Sequence, residues 1–395
     1  MTTRTLESLP PSALEGQRAL VRVDFNVPLK NAVVTDDGRI RAALPTITYL
    51  RDHGARVVLL SHLGRPKNGP DPHFSLRQIV RDVERILGVP VEFIEDLAVG
   101  VAATRRLPRG GVALVENTRF WPGEEQNDAE LARQLAALGD FYVNDAFGSA
   151  HRAHASTEAV AHLLKPAVAG YLMERELRYL GAALDQPRRP FVAVLGGAKI
   201  SGKIDVIAAL LPKCDAILIG GAMAFTFLAA EGGEVGDSLV EPDRFDDVRV
   251  ARQKAADRGV RIELPQDVVI AAEMGFHAPR QTVSAAEIPR GTMGFDIGPR
   301  TVEEFARLVT GAGTILWNGP MGVFELEPFS AGTRGIALAV AGSDAFTLVG
   351  GGDSLLAVKR AGLEDRFDHL STGGGASLEF LEGAEMPGIT VLEDR

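Results

Sequence analysis

Short apolar runs recur along the chain, each closed by glycine or by a polar residue. They read ALVRVDF, ARVVLLSH, GVALVEN and FYVNDAF in the first half, and FVAVLGG, AILIGG, TILWNGP and AFTLVGGGD in the second. Most hold consecutive Val, Ile, Leu or Phe without alternation, the pattern of parallel strands covered on both faces. Between them lie stretches of helical periodicity such as SLRQIVRDVERILG and DAELARQLAALG, each stopped by a glycine. Strand and helix alternating throughout predict an α/β protein with parallel sheets flanked by helices. No repeat of about 20 to 50 residues runs through it, which argues against a solenoid.

Length changes this picture from one sheet to two. The chain has 395 residues, more than one ordinary core accommodates, so two doubly wound, Rossmann-like domains are expected. In HLLKPAVAGYLMERELRYLGAALDQPRRP, the middle reads as one helix, and DQPRRP breaks it before a strand opens at Phe191. The divide therefore falls between about Pro166 and Pro190. A first domain over residues 1–170, a hinge helix over 171–188 and a second domain over 189–377 follow from it.

Composition narrows the setting. The 46% hydrophobic and 24% charged residues fit a soluble globular protein. A single cysteine, Cys214, permits no internal disulfide and fits a reducing compartment. The N-terminus lacks the basic start and apolar core of a secretory signal. No apolar run approaches the roughly 20 residues needed to span a bilayer. A cytoplasmic protein without a membrane partner is expected. The net charge of -10 disfavours a general nucleic-acid binder. An acidic protein that holds phosphate must gather its arginines locally.

In open parallel sheets, ligands bind beyond the carboxyl ends of the strands. The first half puts Asp24 and Asn26 after ALVRV, Arg39 in the loop that follows, His62 and Arg65 after VVLLS, Arg119 after VALVENT, and Arg152 after FYVNDAFGSAH. A lone arginine is ordinarily a solvated charge, and His151, His154 and His162 fit packing or surface positions equally well. Five basic residues at one edge of successive strands instead predict an anion pocket, for which the planar guanidinium fork is suited.

The second half offers glycines in the same positions: GGAK, IGGAM, WNGPMG, GGGDS and STGGG. Each alone reads as a common βα turn. Together with Lys199, Lys203 and Asp353 they predict a nucleotide site built from backbone amides. LGGAKISGKID nearly spells a P-loop, but Ile204 stands where a Ser or Thr would ligate magnesium. Asp353, from another strand, can supply the oxygen ligand instead.

The blocks RVDFNVP, SHLGRP, VENTRF, NDAFGSAHRAHAS, GGAKISGKID, GGAMAFTF, WNGPMGVFE, GGGDS and STGGGASLE run in order from Arg22 to about Glu382. In this they resemble the phosphoglycerate kinase family. The resemblance implies reversible phosphoryl transfer between 1,3-bisphosphoglycerate with MgADP and 3-phosphoglycerate with MgATP, in glycolysis. It implies that Asp24, Asn26, Arg39, His62, Arg65, Arg119 and Arg152 bind phosphoglycerate, and that Arg39 and Lys199 neutralise the moving phosphoryl group from opposite sides. Lys203 would contact nucleotide phosphates. Gly351, Gly352, Asp353 and Ser354 would meet the phosphate chain, with Asp353 on Mg2+. Gly220, Gly221 and Gly294 would line an adenine slot, Glu325 would meet the ribose, and Gly373 and Gly374 would offer amides to the transferred group. Gly202 stands where several relatives carry aspartate, which puts a salt bridge to Lys203 in doubt. The resemblance also implies a monomer whose tail, residues 378–395, returns to the first domain.

The acceptor carboxylate is already ionised at neutral pH, so no general base is required, and no Asp-His pair offers one. Catalysis must come from alignment and positive charge. A domain of about 190 residues has a radius of gyration near 16 Å, whereas in-line transfer needs reacting atoms within roughly 3.5 Å. Domain closure over both ligands is therefore expected, with neither ligand alone producing the fully closed form. A nicotinamide dehydrogenase would need G-x-G-x-x-G after an early strand, which RVDFN and SHLGRP lack. A non-catalytic nucleotide-binding module would leave the arginines of the first half without purpose.

Overall fold

Strands that are apolar on both faces belong inside a sheet, and in the computed structural model, which describes residues 3–67 and 69–392, they lie there. In the first half, β1 (Arg18–Arg22), β2 (Arg56–Leu60), β3 (Val91–Ile94), β4 (Val112–Val115), β5 (Phe141–Asn144) and β6 (Ala167–Ala169) form one sheet in the order β3-β4-β2-β1-β5-β6. Every pairing is parallel. The register sets Arg22 opposite Leu60 on one side and Asn144 on the other, so β1, β2 and β5 end level. Val21, Val57, Leu59, Leu114 and Val143 are buried in a core that also takes in Ile40 and Ile47.

In the second half, β7 (Phe191–Leu195), β8 (Ala216–Ile219) and β9 (Arg261–Glu263) precede a small antiparallel sheet of β10 (Asp267–Ala271), β11 (Arg280–Ser284) and β12 (Met293–Ile297). The chain then returns with β13 (Thr314–Asn318), β14 (Phe346–Gly350) and β15 (His369–Leu370), giving the parallel order β9-β8-β7-β13-β14-β15. Trp317, Phe305 and Ile336 fill its core. The antiparallel sheet is an addition to the expected architecture. None of the five residues of β11 is buried, so the strand carries no apolar run to announce it.

The helices with a bearing on the sites are α1 (Gly38–Ala42), α2 (Val80–Leu87), α3 (Ala129–Ala136), α4 (Tyr171–Asp185), α5 (Ile204–Leu210), α6 (Ala331–Ala341), α7 (Gly352–Arg360) and α8 (Gly375–Glu382). The stretch expected as one helix from Ser75 opens with a 3-10 turn, Leu76–Ile79, before α2 begins and ends on left-handed Gly88. Asp128 caps α3 by accepting the Leu131 amide at 2.8 Å.

The chain divides into two compact units, Tyr179–Gly383 forming the second. The division falls inside α4, between Arg178 and Tyr179, and not at either end of the 171–188 segment. The tail also departs from a return at Leu378. That residue lies within α8, which packs on α5 in the second unit, and the chain rejoins the first unit at Ala384. There Asn144 donates its side-chain amide to Gly388 O at 2.9 Å, and Gly388 N donates to Ala150 O at 2.9 Å.

Candidate active site

The first site lies beyond the carboxyl ends of β4, β2, β1 and β5, four adjacent strands. Asp24, two residues past β1, is buried. Its Oδ2 accepts from Arg39 Nη1 at 2.7 Å and its Oδ1 accepts the Asn26 amide at 3.2 Å. Arg39 is carried by α1 and not by a loop, which fixes its approach to Asp24. Asn26 Oδ1 accepts the Gly64 amide at 2.9 Å, and Arg119 Nη1 donates to Gly64 O at 2.7 Å. These bonds tie the ends of three strands together through side chains expected to hold the anion. Arg119 Nε also lies 3.0 Å from Glu125, an ion pair without hydrogen-bond alignment.

Arg22, the last residue of β1, was not among the sequence candidates, because it stands inside an apolar run and reads as part of the strand. It is 1% exposed, and its Nη2 lies 3.1 Å from His62 Nδ1. Burial pushes the His62 pKa down to about 3; Asp24 opposes this, while Arg22, Arg119 and Arg39 add to it. His62 is therefore neutral near pH 7. For Asp24, burial works against ionisation, but the guanidinium groups of Arg39 and Arg22 and the Asn26 amide outweigh it and hold the carboxyl below its ordinary range. Arg119 is depressed by burial first, with Glu125 opposing and Arg152, Arg22 and Arg65 reinforcing. Three like charges thus act on one guanidinium, an arrangement an anion would relieve.

Arg152 is half-buried and Arg65 exposed. Of the three uncertain histidines, His154 is buried, and desolvation with the charges of Arg22, Arg119 and Arg152 lowers its pKa to about 4. His151 is half-buried and adds to the same field. His162 is exposed and pairs with Glu158 on its own helix, apart from the cluster.

The second site lies beyond β8, β7, β13 and β14, again four neighbours in one sheet. A cavity of about 540 Å3 opens there, bordered by Gly197, Gly221, Gly294, Glu325 and Asp353, with Leu239, Val268 and Phe295 among its apolar walls. Gly221 has φ +65, and a Cβ on it would stand 2.5 Å from the Gly197 nitrogen. A Cβ on Gly294 would stand 2.1 Å from the Phe225 ring. Gly220 does not border the cavity; it packs behind it against Met321.

Lys203 caps α5 and sends Nζ to Asn318 O at 2.8 Å and to Asn318 Oδ1. Burial lowers its pKa to about 8, against the opposing charge of Asp353. Ile204 opens α5 and is half-buried, so a strand, a glycine loop and a helix do follow one another as in a P-loop. A Cβ on Gly202 would meet nothing within 4 Å. Lys199 is exposed on the same loop, which Glu241 secures by accepting the Ile200 amide at 2.6 Å and the Ser201 amide at 3.1 Å. Glu241 is too distant in sequence for the loop pattern to reveal it.

Gly351, at φ +87, caps α7, and Gly352 and Asp353 are exposed in its first turn. Ser354, expected to face the phosphates, is fully buried, and its hydroxyl accepts the Gly319 amide at 2.6 Å. It holds one glycine loop against another. Gly374, at φ +56, caps α8, while the Gly373 amide donates to Ser371 Oγ at 3.3 Å. Asp296 lies in the cavity wall, where burial pushes its pKa up to about 7 although the Gly332 and Ile297 amides both donate to it.

Residues 10–384 match the family model described as phosphoglycerate kinase. The phosphoglycerate kinase of Chloroflexus aurantiacus is 57% identical over 387 residues, 96% of each chain, and that of Moorella thermoacetica is 53% identical over the full length of both. The solved structure of phosphoglycerate kinase from Coxiella burnetii superposes with a TM-score of 0.90 at 43% identity, covering 99% of each chain. With a family model over nearly its whole length and relatives this similar, the chain belongs to the phosphoglycerate kinase family and is a phosphotransferase.

Proposed function

We propose that this protein transfers a phosphoryl group reversibly between 1,3-bisphosphoglycerate with MgADP and 3-phosphoglycerate with MgATP. The carrying observation is the buried charge cluster of the first unit, in which Arg39 pairs with Asp24, Arg22 meets His62, and Arg119 lies in the field of Arg152, Arg22 and Arg65. It suits a small, multiply charged anion better than a neutral ligand. Asp24 and Asn26 orient the arginines around 3-phosphoglycerate, and neutral His62 donates to it. In the second unit, Gly221 and Gly294 border the space for the base, Glu325 is within reach of the ribose, and Lys203 with Gly351 and Gly352 meets the phosphates.

Among the described residues, no group of three His, Cys, Asp or Glu could hold a metal ion. A single carboxylate suits magnesium brought in on the nucleotide, which keeps waters and needs only one or two protein carboxylates. Asp353, exposed in the first turn of α7, would contact it. Bound magnesium neutralises phosphate charge. The remaining work falls to side chains: Arg39 and Lys199 compensate the charge of the transferring group, and Gly373 and Gly374 offer amides. The acceptor carboxylate attacks in line once the two units close over both ligands and exclude water. The protein acts as a cytoplasmic monomer in glycolysis.

A coupled assay with 3-phosphoglycerate and MgATP tests the reading. Turnover that needs both substrates is the expected result. Folded protein that binds MgATP and yet fails to phosphorylate 3-phosphoglycerate rejects it.

A further inference from the structure

Beneath the anion pocket lies a line of buried polar groups that the roles above do not use. Glu124 is 1% exposed and Ser156 is fully buried, in a segment remote in sequence from β1. The Glu124 carboxylate accepts the Ser156 amide at 3.0 Å and also the Ser156 hydroxyl. That hydroxyl oxygen accepts from Arg22 Nε at 2.9 Å. Arg22 passes one Nη1 hydrogen to Val23 O and directs Nη2 to His62 Nδ1 at 3.1 Å. Two further ionisable groups lie near Glu124: His154, whose Nδ1 is 3.9 Å away, and buried Tyr142, whose hydroxyl donates to Ser156 O at 2.8 Å.

Burying a carboxylate is costly unless it is paired and fully hydrogen-bonded. Here its nearest strong cation is reached through one hydroxyl, so the charge is spent on orienting that hydroxyl. A guanidinium has donors and no acceptor, hence His62 Nδ1 must accept and its proton must sit on Nε2. The groups around His62 agree with a neutral ring: Arg22, Arg119 and Arg39 face it with positive charge and Asp24 with negative.

We infer that Glu124 and Ser156 are positioning residues for the anion pocket: acting through the Ser156 hydroxyl, they orient Arg22, and Arg22 in turn sets His62 as a neutral Nε2–H donor. The identity of the anion, 3-phosphoglycerate, rests on the proposed function; the relay rests on the distances alone.

The test uses the full chain with 15N-labelled histidine, together with Ser156→Ala and Glu124→Gln. In the wild type, His62 should show a protonated Nε2 and a bare Nδ1 from pH 5 to 8. Both variants should lose this fixed tautomer. Their KM for 3-phosphoglycerate should rise about tenfold, the loss of roughly one buried hydrogen bond. KM for MgATP should stay within about twofold, and kcat should fall by less than KM rises. Unchanged KM and unchanged tautomer in folded variants would overturn the relay, as would an equal loss in both KM values with lowered melting temperature. Should neither variant fold, the wild-type spectrum still decides: a protonated Nδ1, or titration near pH 6.5, removes the relay. Failure of the wild type to turn over 3-phosphoglycerate would instead strike the proposed reaction and leave the spectrum valid.

Discussion

The two candidate sites occupy equivalent places in two similar sheets and are made of opposite materials. The first is a set of polar and charged side chains, several buried, bonded both to one another, as Arg39 is to Asp24 and Arg22 to His62 and Ser156, and to backbone, as Arg119 is to Gly64 O. The second is mainly backbone, with one half-buried lysine held by Asn318 and glycine loops packed too closely for a Cβ at Gly221. Side-chain charge suits a small ligand that is charged throughout. Amides and apolar walls suit a ligand with a flat base at one end and phosphates at the other. The same βα edge therefore supports either recognition, depending on whether arginine or glycine follows the strand.

Four measurements sharpen or break this contrast. Arg39→Ala should have the largest effect, lowering kcat by about a thousandfold or more, the scale of an arginine in phosphoryl transfer. Nucleotide Kd should change by less than about twofold in equilibrium titration, and Arg39→Lys should recover activity only in part. A comparable loss of nucleotide affinity would erase the division between the sites.

Acidification should separate the units next. His62 and His154 are neutral in the folded state down to about pH 3 and 4, while in the unfolded chain they bind protons below about 6.5. The unfolded state then holds more protons, so their contribution to stability is lost as pH falls through this window. Asp145, raised to about 6 chiefly by burial, works the other way in the same unit. The net loss in the first unit should be roughly 2–3 kcal/mol by pH 5. In the second unit, Asp296 has a raised pKa of about 7, and protonation favours its folded state over the same range. Trp121 lies in the first unit and Trp317 in the second, so urea unfolding of Trp317→Phe and Trp121→Phe proteins reports each separately. The first unit should lose its midpoint sooner between pH 7 and 5.

Gly221→Ala should cost the second unit about 2 kcal/mol, from a forced left-handed side chain and a backbone clash. Nucleotide binding should weaken while 3-phosphoglycerate binding is retained. Smallest is the titration of Lys203. Its ammonium is present below about pH 8 in the free protein, and phosphates favour the protonated form, so nucleotide binding takes up a proton. Nucleotide Kd should therefore rise about fivefold from pH 8 to 9, and Lys203→Met should flatten that slope while binding more weakly throughout.

What the sequence discloses and what it conceals divide along similar lines. Central strands such as Phe191–Leu195 were legible because burial on both faces demands an unbroken apolar run. The edge strands Ala167–Ala169 and His369–Leu370 are too short to show a pattern, and Arg280–Ser284 is exposed except at half-buried Val283. Asp24, His62 and Asp353 stand just past the strands that precede them, where sequence position alone places them. Arg22 escaped because it belongs to the strand, and Glu124 and Glu241 because their partners lie far along the chain. Ser354 misled for a simpler reason: adjacency to an exposed carboxylate does not tell which way a helix turns its next side chain.

Recognition of each ligand by a different unit is what the contrast between the sites requires. Hydrogen exchange on the full chain, with 3-phosphoglycerate alone and with MgATP alone, tests it most directly. The sugar acid should protect amides of residues 22–26, 61–65 and 117–119 and leave the second sheet unchanged; MgATP should protect residues 196–203, 220–222 and 350–354 and leave the first unchanged. Protection of one common unit by both ligands, with the other indifferent to either, would contradict it.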